Sequence, residues 1–394
     1  MSVPTLLVIA GQRINYYEVF KGLKVRGKEV KIEQAAWDDI SVCSYGNKSV
    51  VVSISASFRP IPDTPQNKTR SCTPNFILFR GSCKGGARTN WMHKLVTFAH
   101  ANLPTVNSIE SFINSQDKAI MYGKLSKVMD SLGGFENFPL VTQTCYSNWK
   151  AATFPPDFPC VGKIGTASGG LGKMKIAGPT EWDDFCSIAA MQPQFFTSEG
   201  FVQWDFDIRI QKIGNHYRAF RRTSKHWKSN VDFAMKDEDI EVEERYKTWI
   251  DAAAKECGMD ICAMDLLQVV ESGKEYILEL NSSAIGLNGR HHDEDISYIR
   301  DLTLRRMEQA LISPRMKDKE SKQDDESKNE AKEENTEPSS DSPAEVDLLR
   351  WQLQSLREEV NQLCGKVLAY ELAEEERLKA VPEPKKSFFG FGKN

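Results

Sequence analysis

The stretch VGKIGTASGGLGKMKI, residues 161–176, organises the interpretation of the whole chain. Two short apolar segments carry Lys163 and Lys173 and enclose a loop of small residues. Glycine lets the backbone approach a ligand closely, and consecutive N–H groups in such a loop form a concavity for anions. The spacing matches neither a Walker A loop nor a dinucleotide fingerprint, so it indicates a hairpin flap over phosphate or an ordinary glycine-rich turn. The loop's glycines are Gly165, Gly169, Gly170 and Gly172.

The composition of the 394 residues limits the class of protein. The length predicts two or three domains, and a net charge of −4 with a pI near 6.0 argues against a general nucleic-acid surface. The nine cysteines include no CxxC pair, which predicts reduced thiols. The initial MSVPTLLVIA predicts a buried strand instead of a signal peptide, and no apolar run reaches membrane-spanning length. We therefore expect a cytoplasmic protein.

The first 110 residues alternate strand-like and helix-like stretches, among them TLLVIA, VKIEQA, VVVSISA and NFILFR. This alternation predicts an α/β domain over residues 1–110 with a mainly parallel sheet. Arg80 follows the predicted strand NFILF, at the end of the sheet where α/β proteins commonly place ligand contacts. An ordinary basic loop is the alternative.

Residues 111–312 combine helices with successive strands, which predicts an α+β domain. One helix is expected to begin at Thr180 with Ile188 on its apolar face, and another spans Glu241 to Cys257. Between them the strand FDIRIQKIG turns at GN into the basic strand HYRAFRRTS.

ICAMDLLQVV and EYILELNSS predict a second hairpin around the turn ESG. That turn pairs Val270 with Lys274 and places Asp265 opposite Glu279, with Asn281 on the same face. Two opposed carboxylates repel each other unless a cation lies between them. Oxygen ligands of this kind suit Mg²⁺ or Ca²⁺. The alternative is a register in which one acid points to solvent.

The order of these features resembles the ATP-grasp superfamily, in which two lobes hold ATP between them. Longer blocks are similar to the synapsins: TLLVIAGQRINYYEVFKG, VKIEQAAWDD, DIRIQKIGNHYRAF and GMDICAMDLL. The resemblance covers roughly residues 3–312. It implies a synapsin-like pre-ATP-grasp domain at residues 1–110 and an ATP-binding, two-lobed ATP-grasp domain at residues 111–312.

The resemblance also implies a role for each site residue. The lysines and the flap would contact phosphate, residues 199–202 would receive adenine, and Asp207 would meet the ribose hydroxyls. The implied ATP-binding residues are Lys118, Lys163, Gly169, Gly170, Gly172, Lys173, Glu199, Phe201, Val202, Asp207, Arg209 and Lys228. The implied ligands of Mg²⁺ or Ca²⁺ are Asp265, Glu279 and Asn281.

Two residues depart from the synapsin pattern. Asp265 stands where synapsins have Glu, and Asn281 creates the E-x-N arrangement typical of catalytic ATP-grasp ligases. The resemblance favours an ATP-binding regulatory or assembly module at synaptic or secretory vesicles, acting in neurotransmitter secretion or vesicle trafficking. The alternatives are an active ligase that forms an acyl phosphate on an unknown carboxylate, and a coiled-coil scaffold with a decayed nucleotide fold.

The composition changes after Leu311. Residues 313–344 are charged and nearly free of apolar side chains, which predicts a disordered linker. Residues 345–380 repeat apolar residues in heptads, with a seam over 346–370, which predicts a parallel coiled coil. A single helix docked on the globular part is the alternative, and we expect homo-oligomers through either region. The basic, aromatic tail at 381–394 is expected to contact a vesicle membrane, to fill a pocket of a partner or to be disordered.

Overall fold

The computed structural model describes residues 3–327 except 47, 56–68, 86–88, 166, 168–169, 193, 229–235 and 288, and gives only the backbone of 84–85, 89 and 312–327. The chain divides into a compact unit, residues 1–320, and a second unit, residues 321–394. Gly169 lies outside the described residues, as do the predicted coiled coil at 345–380 and the tail at 381–394.

The secondary structure is numbered here in chain order. The strands are β1 Thr5–Ile9, β2 Lys24–Val25, β3 Lys28–Glu29, β4 Lys31–Ala35, β5 Ile40–Gly46, β6 Ser49–Ile54, β7 Arg70–Cys72, β8 Phe76–Phe79, β9 Lys84–Gly85, β10 Thr89–Asn90, β11 Thr105–Val106, β12 Gln143–Tyr146, β13 Cys160–Ile164, β14 Lys173–Ile176, β15 Phe196–Gly200, β16 Phe206–Ile213, β17 His216–Thr223, β18 Lys236–Ile240, β19 Ile261–Val269 and β20 Lys274–Asn281. The α-helices are α1 Tyr16–Phe20, α2 Met92–Ala101, α3 Ile109–Asn114, α4 Lys118–Ser131, α5 Pro179–Ala190, α6 Glu244–Cys257 and α7 His292–Ser327.

The first part of the chain contains a parallel four-stranded sheet with the order β11-β8-β1-β4. Strand β1 is buried on both faces: Leu6 and Val8 pack into one core cluster, and Leu7 and Ile9 pack into another. Burial on both faces explains why TLLVI is apolar throughout instead of alternating. The parallel sheet confirms the predicted α/β class for this part of the chain.

Two antiparallel sheets follow and form the two predicted lobes. The smaller has the order β12-β15-β13-β14 and packs on α5, and the larger has the order β18-β17-β16-β19-β20 and packs on α4 and α6. The described architecture is therefore a mixed α/β and α+β fold, as the sequence predicts.

The structure confirms the predicted helices and corrects two details. The sequence predicts an apolar stripe on α6, and all of its residues are buried: Tyr246, Trp249, Ile250, Ala253 and Cys257. Gly258 ends that helix in the left-handed conformation with a φ of 65°. The helix begins at Glu244, later than the predicted Glu241. On α5, Trp182 and Phe185 are buried but Ile188 is 50% exposed, so its prediction as a core residue is wrong. The buried residues of this helix are Trp182, Phe185 and Ala189.

One hydrophobic core joins the parallel sheet to the larger lobe. Leu6 and Phe76 of the parallel sheet pack in the same cluster as Ile213 and Ile261 of the larger antiparallel sheet and Ile299 of α7. The two segments predicted as separate domains therefore share apolar packing.

Helix α7 is anchored by the buried Leu302 and Met307, and its backbone continues to Ser327. It thus extends into residues 313–344, for which the sequence predicts a disordered linker. Within the part of the chain that the structure describes, no helix combines the length and apolar character needed to cross a bilayer.

Gly162 on β13 provides a test of the packing in the smaller lobe. A Cβ atom here would lie 2.7 Å from Cζ of Phe185 and 2.9 Å from Cδ1 of Ile176, and both side chains are buried. We expect Gly162→Ala to lower the free energy of unfolding by about 1–3 kcal/mol, as overpacking does. Urea denaturation measures the change. Gly200→Ala on β15 is the control, because its Cβ would meet nothing within 4 Å; equal losses in both variants would contradict the expectation.

Candidate nucleotide-binding site

Strands β13 and β14 form the hairpin predicted from the glycine-rich stretch, with Lys163 directly opposite Lys173. The loop between them uses the conformational freedom of glycine, because three of its residues have φ values that other residues rarely adopt. These residues, with φ values of 54°, 83° and 69°, are Gly165, Gly170 and Gly172. The stretch is therefore a flap between two strands.

Lys163 and Glu199 form an ion pair inside the smaller lobe. The Nζ–Oε1 distance is 2.6 Å, and each side chain is less than a tenth exposed. They meet because β13 and β15 are antiparallel neighbours. Gln143 donates from Nε2 to the other carboxylate oxygen of Glu199 at 3.4 Å. The residue predicted to contact phosphate and the one predicted to receive adenine are thus direct partners.

Strands β19 and β20 place Asp265 directly opposite Glu279, as predicted. The predicted pairing at the turn is wrong by one residue, since Val269 and not Val270 lies opposite Lys274. A β-bulge next to Asp265 restores the register, because it adds one residue to β20 between the turn and the acids. The bulge keeps both carboxylates on the same face of the sheet.

Arg209 on β16 binds both oxygens of Asp265, with Nε–Oδ1 and Nη2–Oδ2 distances of 2.7 and 2.9 Å. Such a bidentate pair is stronger than a single contact and fixes the orientation of both groups. Burial by itself lowers the pKa of Arg209, but Asp265 raises it well above its ordinary value. Arg209, one of the implied ATP-binding residues, is therefore held against Asp265, one of the predicted metal ligands.

Arg222 on β17 is a site residue that the sequence analysis missed. It is buried, pairs with Asp207 and lies 3.5 Å from Asp265. The signal was present in the sequence, because the turn at GN places Arg222 opposite Asp207 in the β16–β17 hairpin. Asp207 is thus committed to an internal ion pair, and its contact with ribose stays a prediction.

Glu279 is surrounded by lysines. Lys118, at the start of α4, forms an ion pair with it, and Lys173 and Lys163 act on it electrostatically. Burial raises the pKa of Glu279, but the three lysines together bring it well below its usual range. In return, Glu279 raises the pKa of Lys118 against the effect of burial. The pKa of Lys173 is lowered, because burial outweighs the attraction of the carboxylate.

Asn281, the last residue of β20, connects the two acids. Its Nδ2 atom lies 2.8 Å from Oδ2 of Asp265 and 3.5 Å from Oε1 of Glu279. Both carboxylates therefore point at one place, and rotation of the amide would present its oxygen there. Three converging oxygen donors fit a hard divalent cation. Among the described residues no group of three or more His, Cys, Asp and Glu could hold a metal, so further ligands would be phosphate or water.

The hinge after β15 carries the residues predicted to receive adenine. The backbone N–H of Phe201 donates to the carbonyl of Pro159 at 2.9 Å, so this donor is already used within the hinge. A cavity of about 480 Å³ beside the hinge is lined by Phe201, Val202, Val269 and Tyr276, among others. Its volume and apolar walls are typical of a site for a flat, largely apolar group such as a base.

Lys228, in the segment after β17, donates to the backbone carbonyls of the flap. Its Nζ atom lies 2.6 Å from the oxygen of Lys173 and 3.3 Å from that of Gly170. Lys228 was predicted as a phosphate-side cation. In this structure it connects the larger lobe to the flap.

The described site residues form one charged network between the two lobes. Cationic side chains outnumber acidic ones by one, which favours an anionic ligand. The cations are Lys118, Lys163, Lys173, Arg209 and Arg222, and the acids are Glu199, Asp207, Asp265 and Glu279.

Two antiparallel lobes with a charged site between them, preceded by a parallel α/β domain, define the ATP-grasp fold. Solved structures with this fold include the ATP-grasp ligase PsnB with a minimal precursor, at a TM-score of 0.51 and 17% identity over 78% of this chain and 99% of that one. The macrocyclase MdnC with precursor peptide MdnA, from Microcystis aeruginosa, has a TM-score of 0.52 and 13% identity over 76% and 99% of the two chains. These identities show a shared fold alone.

Sequence comparison defines the family. The family model described as "Synapsin, ATP binding domain" matches residues 107–309, and "Synapsin pre-ATP-grasp domain" matches residues 1–105. The synapsin of Drosophila melanogaster is 30% identical over 320 residues, which is 79% of this chain and 30% of the fly protein. The chain therefore belongs to the synapsin family and contains its ATP-binding domain, while it spans only about 30% of the length of that relative.

The ion pair in the smaller lobe generates a stability prediction. Lys163→Met leaves Glu199 buried without its partner, so we expect the free energy of unfolding to fall by roughly 3–5 kcal/mol. Adding Glu199→Gln removes the unpaired charge and should recover part of the loss. Chemical denaturation measures both variants. Lys247→Met, which breaks the more exposed pair with Glu244, is the control and should lose much less stability. Equal losses for the two lysines would refute the buried-pair argument.

The lowered pKa of Glu279 predicts how stability depends on pH. A lowered folded-state pKa contributes stability above the unfolded value of about 4.3, and this contribution is lost as the pH falls towards the folded value. Between pH 7 and pH 3 we expect Glu279→Gln to lose less unfolding free energy than the wild type, by on the order of 1–2 kcal/mol. Urea denaturation at each pH tests this, with the exposed Glu238→Gln as control. Parallel pH profiles for wild type and Glu279→Gln would show that the lysines do not act on this carboxylate.

Proposed function

We propose that this protein binds ATP together with a divalent cation between its two lobes, and that nucleotide occupancy regulates an assembly module at synaptic or secretory vesicles. The proposal of nucleotide binding rests on one observation. Lys118, Lys163 and Lys173 all act on Glu279, one of the predicted metal ligands. The vesicle part is supported by membership of the synapsin family.

Lys118 and Lys173 are placed to hold phosphate oxygens. Lys118 acts on Glu279 from the start of α4 and Lys173 from the flap, and a triphosphate carries more negative charge than a single carboxylate. A triphosphate between flap and sheet would therefore draw Lys118 from Glu279. The freed carboxylate would then face a divalent cation together with Asp265 and Asn281. Asp265, Glu279 and Asn281 would hold Mg²⁺ or Ca²⁺, which would supply positive charge beside the phosphates.

The flap would cover the phosphates from the other side. Gly170 and Gly172 have left-handed backbone and no side chain, which supports a close approach of this part of the loop to phosphate. The N–H groups of Gly165 and Ala167 already donate to the carbonyls of Phe195 and Ile164. Lys228 holds the flap at the carbonyls of Gly170 and Lys173. This contact would keep the loop over the larger lobe and exclude water from the phosphates.

The residues after the globular part support the proposed assembly and location. The heptads at 345–380 support a parallel coiled coil with its seam at 346–370, and the globular part would add a second homo-oligomer contact. The lysines and phenylalanines of 381–394 support contact with a vesicle membrane, although a single short anchor binds only marginally. These features support the proposed location in the cytoplasm, on the cytosolic face of vesicles.

A second candidate function is ATP-grasp ligation, which the convergence of Asp265, Glu279 and Asn281 favours. In that reaction a carboxylate oxygen attacks the γ-phosphorus of ATP, and ADP leaves with the bonding electron pair. An amine or thiol then attacks the carbonyl carbon of the acyl phosphate and expels phosphate. The cations of the network would neutralise charge on the transferred phosphoryl group.

Thermal melting of the full chain with ATP and Mg²⁺, Ca²⁺ or EDTA tests the proposed function. A ligand that binds the folded state stabilises it by about 2.7 kcal/mol at 100 times its Kd, so the melting temperature should rise. We expect the rise to need a divalent cation and to be lost in Glu279→Gln. Glu238→Gln, an exposed acid on β18, should keep it.

The outcomes separate the candidate functions. No shift under any condition would refute both ATP-binding functions and favour the scaffold. If Glu279→Gln keeps a metal-dependent rise in melting temperature, the metal ion binds at a place that does not include Glu279. Once binding is shown, ADP and phosphate release with candidate carboxylates and amines distinguishes the ligase from the regulatory module.

A further inference from the structure

The position of Asn281 depends on contacts outside the antiparallel sheet. Asn281 is the last residue of β20, and its pairing with Ala263 is the last in the ladder between β20 and β19. Backbone pairing fixes the residues before it, but the chain turns away directly after it. The direction of its side chain towards Asp265 and Glu279 therefore needs support from the segment that follows.

Arg80 supplies that support from the parallel sheet. Its guanidinium donates to the carbonyl of Ser283 and, from Nη2, to the carbonyl of Ile285 at 3.0 Å. Its Nε donates to the hydroxyl of the buried Tyr16 at 3.0 Å, which fixes the plane of the group. The planar fork of an arginine matches two carbonyls at once, whereas a lysine ammonium is a single point on a flexible stem.

Asn107 makes a second contact to the same segment. Its Nδ2 donates to Ser282 Oγ at 3.2 Å and to the carbonyl of Ile261 at 2.7 Å, and the side chain is fully buried. Ile261 begins β19, the strand that carries Asp265. The residue immediately after Asn281 is thus tied to the start of the neighbouring strand, and the next ones are tied to Arg80.

We infer that Arg80 is a positioning residue for the metal side of the nucleotide site. It holds Ser283 and Ile285 and thereby sets the direction in which Asn281 meets Asp265 and Glu279. The sequence analysis considered Arg80 as a ligand contact or as part of an ordinary basic loop, and its partners here are the Tyr16 hydroxyl and the backbone carbonyls of Ser283 and Ile285. The inference rests on the proposed binding of ATP with a divalent cation.

The test is calorimetric titration of the full chain with ATP in saturating Mg²⁺, and with AMP in EDTA. AMP carries the base, the ribose and one phosphate, so its affinity reports the part of the site that needs no metal. Residues that orient metal ligands contribute about 10-fold to 100-fold to metal affinity. We expect Arg80→Lys to raise the Kd for ATP with Mg²⁺ by about 10-fold or more, and to change the Kd for AMP by less than about twofold.

Two further variants complete the design. Tyr16→Phe keeps the guanidinium but removes the oxygen that orients it, so we expect a smaller loss of Mg²⁺-dependent ATP affinity in the same direction. Arg70→Lys is the matched control. Arg70 also donates to a backbone carbonyl, that of Gln34, but both residues lie within residues 1–110. Arg70→Lys should leave both affinities unchanged.

Each outcome has one meaning. Failure of the wild type to bind ATP with Mg²⁺ would refute the proposed function, independently of Arg80. If the wild type binds, equal losses of ATP and AMP affinity in Arg80→Lys would overturn the inference, because Arg80 would then hold the site as a whole. Unchanged affinities in Arg80→Lys would overturn it as well. A selective loss of the Mg²⁺-dependent affinity, absent in Arg70→Lys, would support it.

Discussion

Two carboxylates lie directly opposite each other on neighbouring strands of the larger sheet. Their mutual repulsion must be balanced by cations, and the rest of the site depends on that balance. Asp265 and Glu279 lie in a pairing position where like charges destabilise a sheet. Arg209 binds one acid from the adjoining strand, and Lys118 binds the other from the start of a helix. Each cation comes from a different element, so folding and the assembly of the charged site are a single process.

Binding of the proposed nucleotide and metal ion would replace the ion pairs within this site by ion pairs with the ligands. The cations that stabilise the acids in the described structure are those that phosphate would attract, and the acids are those that a metal ion would bind. Removing one member leaves a charge of the opposite sign in a partly buried place, which costs more than the lost contact. Nucleotide and metal are therefore expected to bind as a set, because each replaces a partner that the other takes away.

Much of the fold and part of the site could be predicted from local pattern. The flap, the stripe of α6 and the pairing of the two acids follow from periodicity and turn chemistry. Strand alternation cannot reveal a bulge, so the predicted turn was wrong by one residue while the acids still paired correctly. The position of Arg222 opposite Asp207 could also have been predicted from the turn between β16 and β17. The contact between Arg80 and Ser283 could not, because Ser283 lies 203 positions after Arg80 and only the tertiary fold brings them together.

The core shared by the parallel sheet and the larger lobe has a consequence for modularity. The boundary between the two family models, at residues 105 and 107, falls within one continuous apolar interior that also includes Ile299 of α7. Cutting the chain there would turn interior into surface on both fragments, and large apolar surfaces drive aggregation. The two domains that sequence profiles separate thus share one apolar interior, so each half expressed alone is expected to expose apolar surface that the other half covers in this chain.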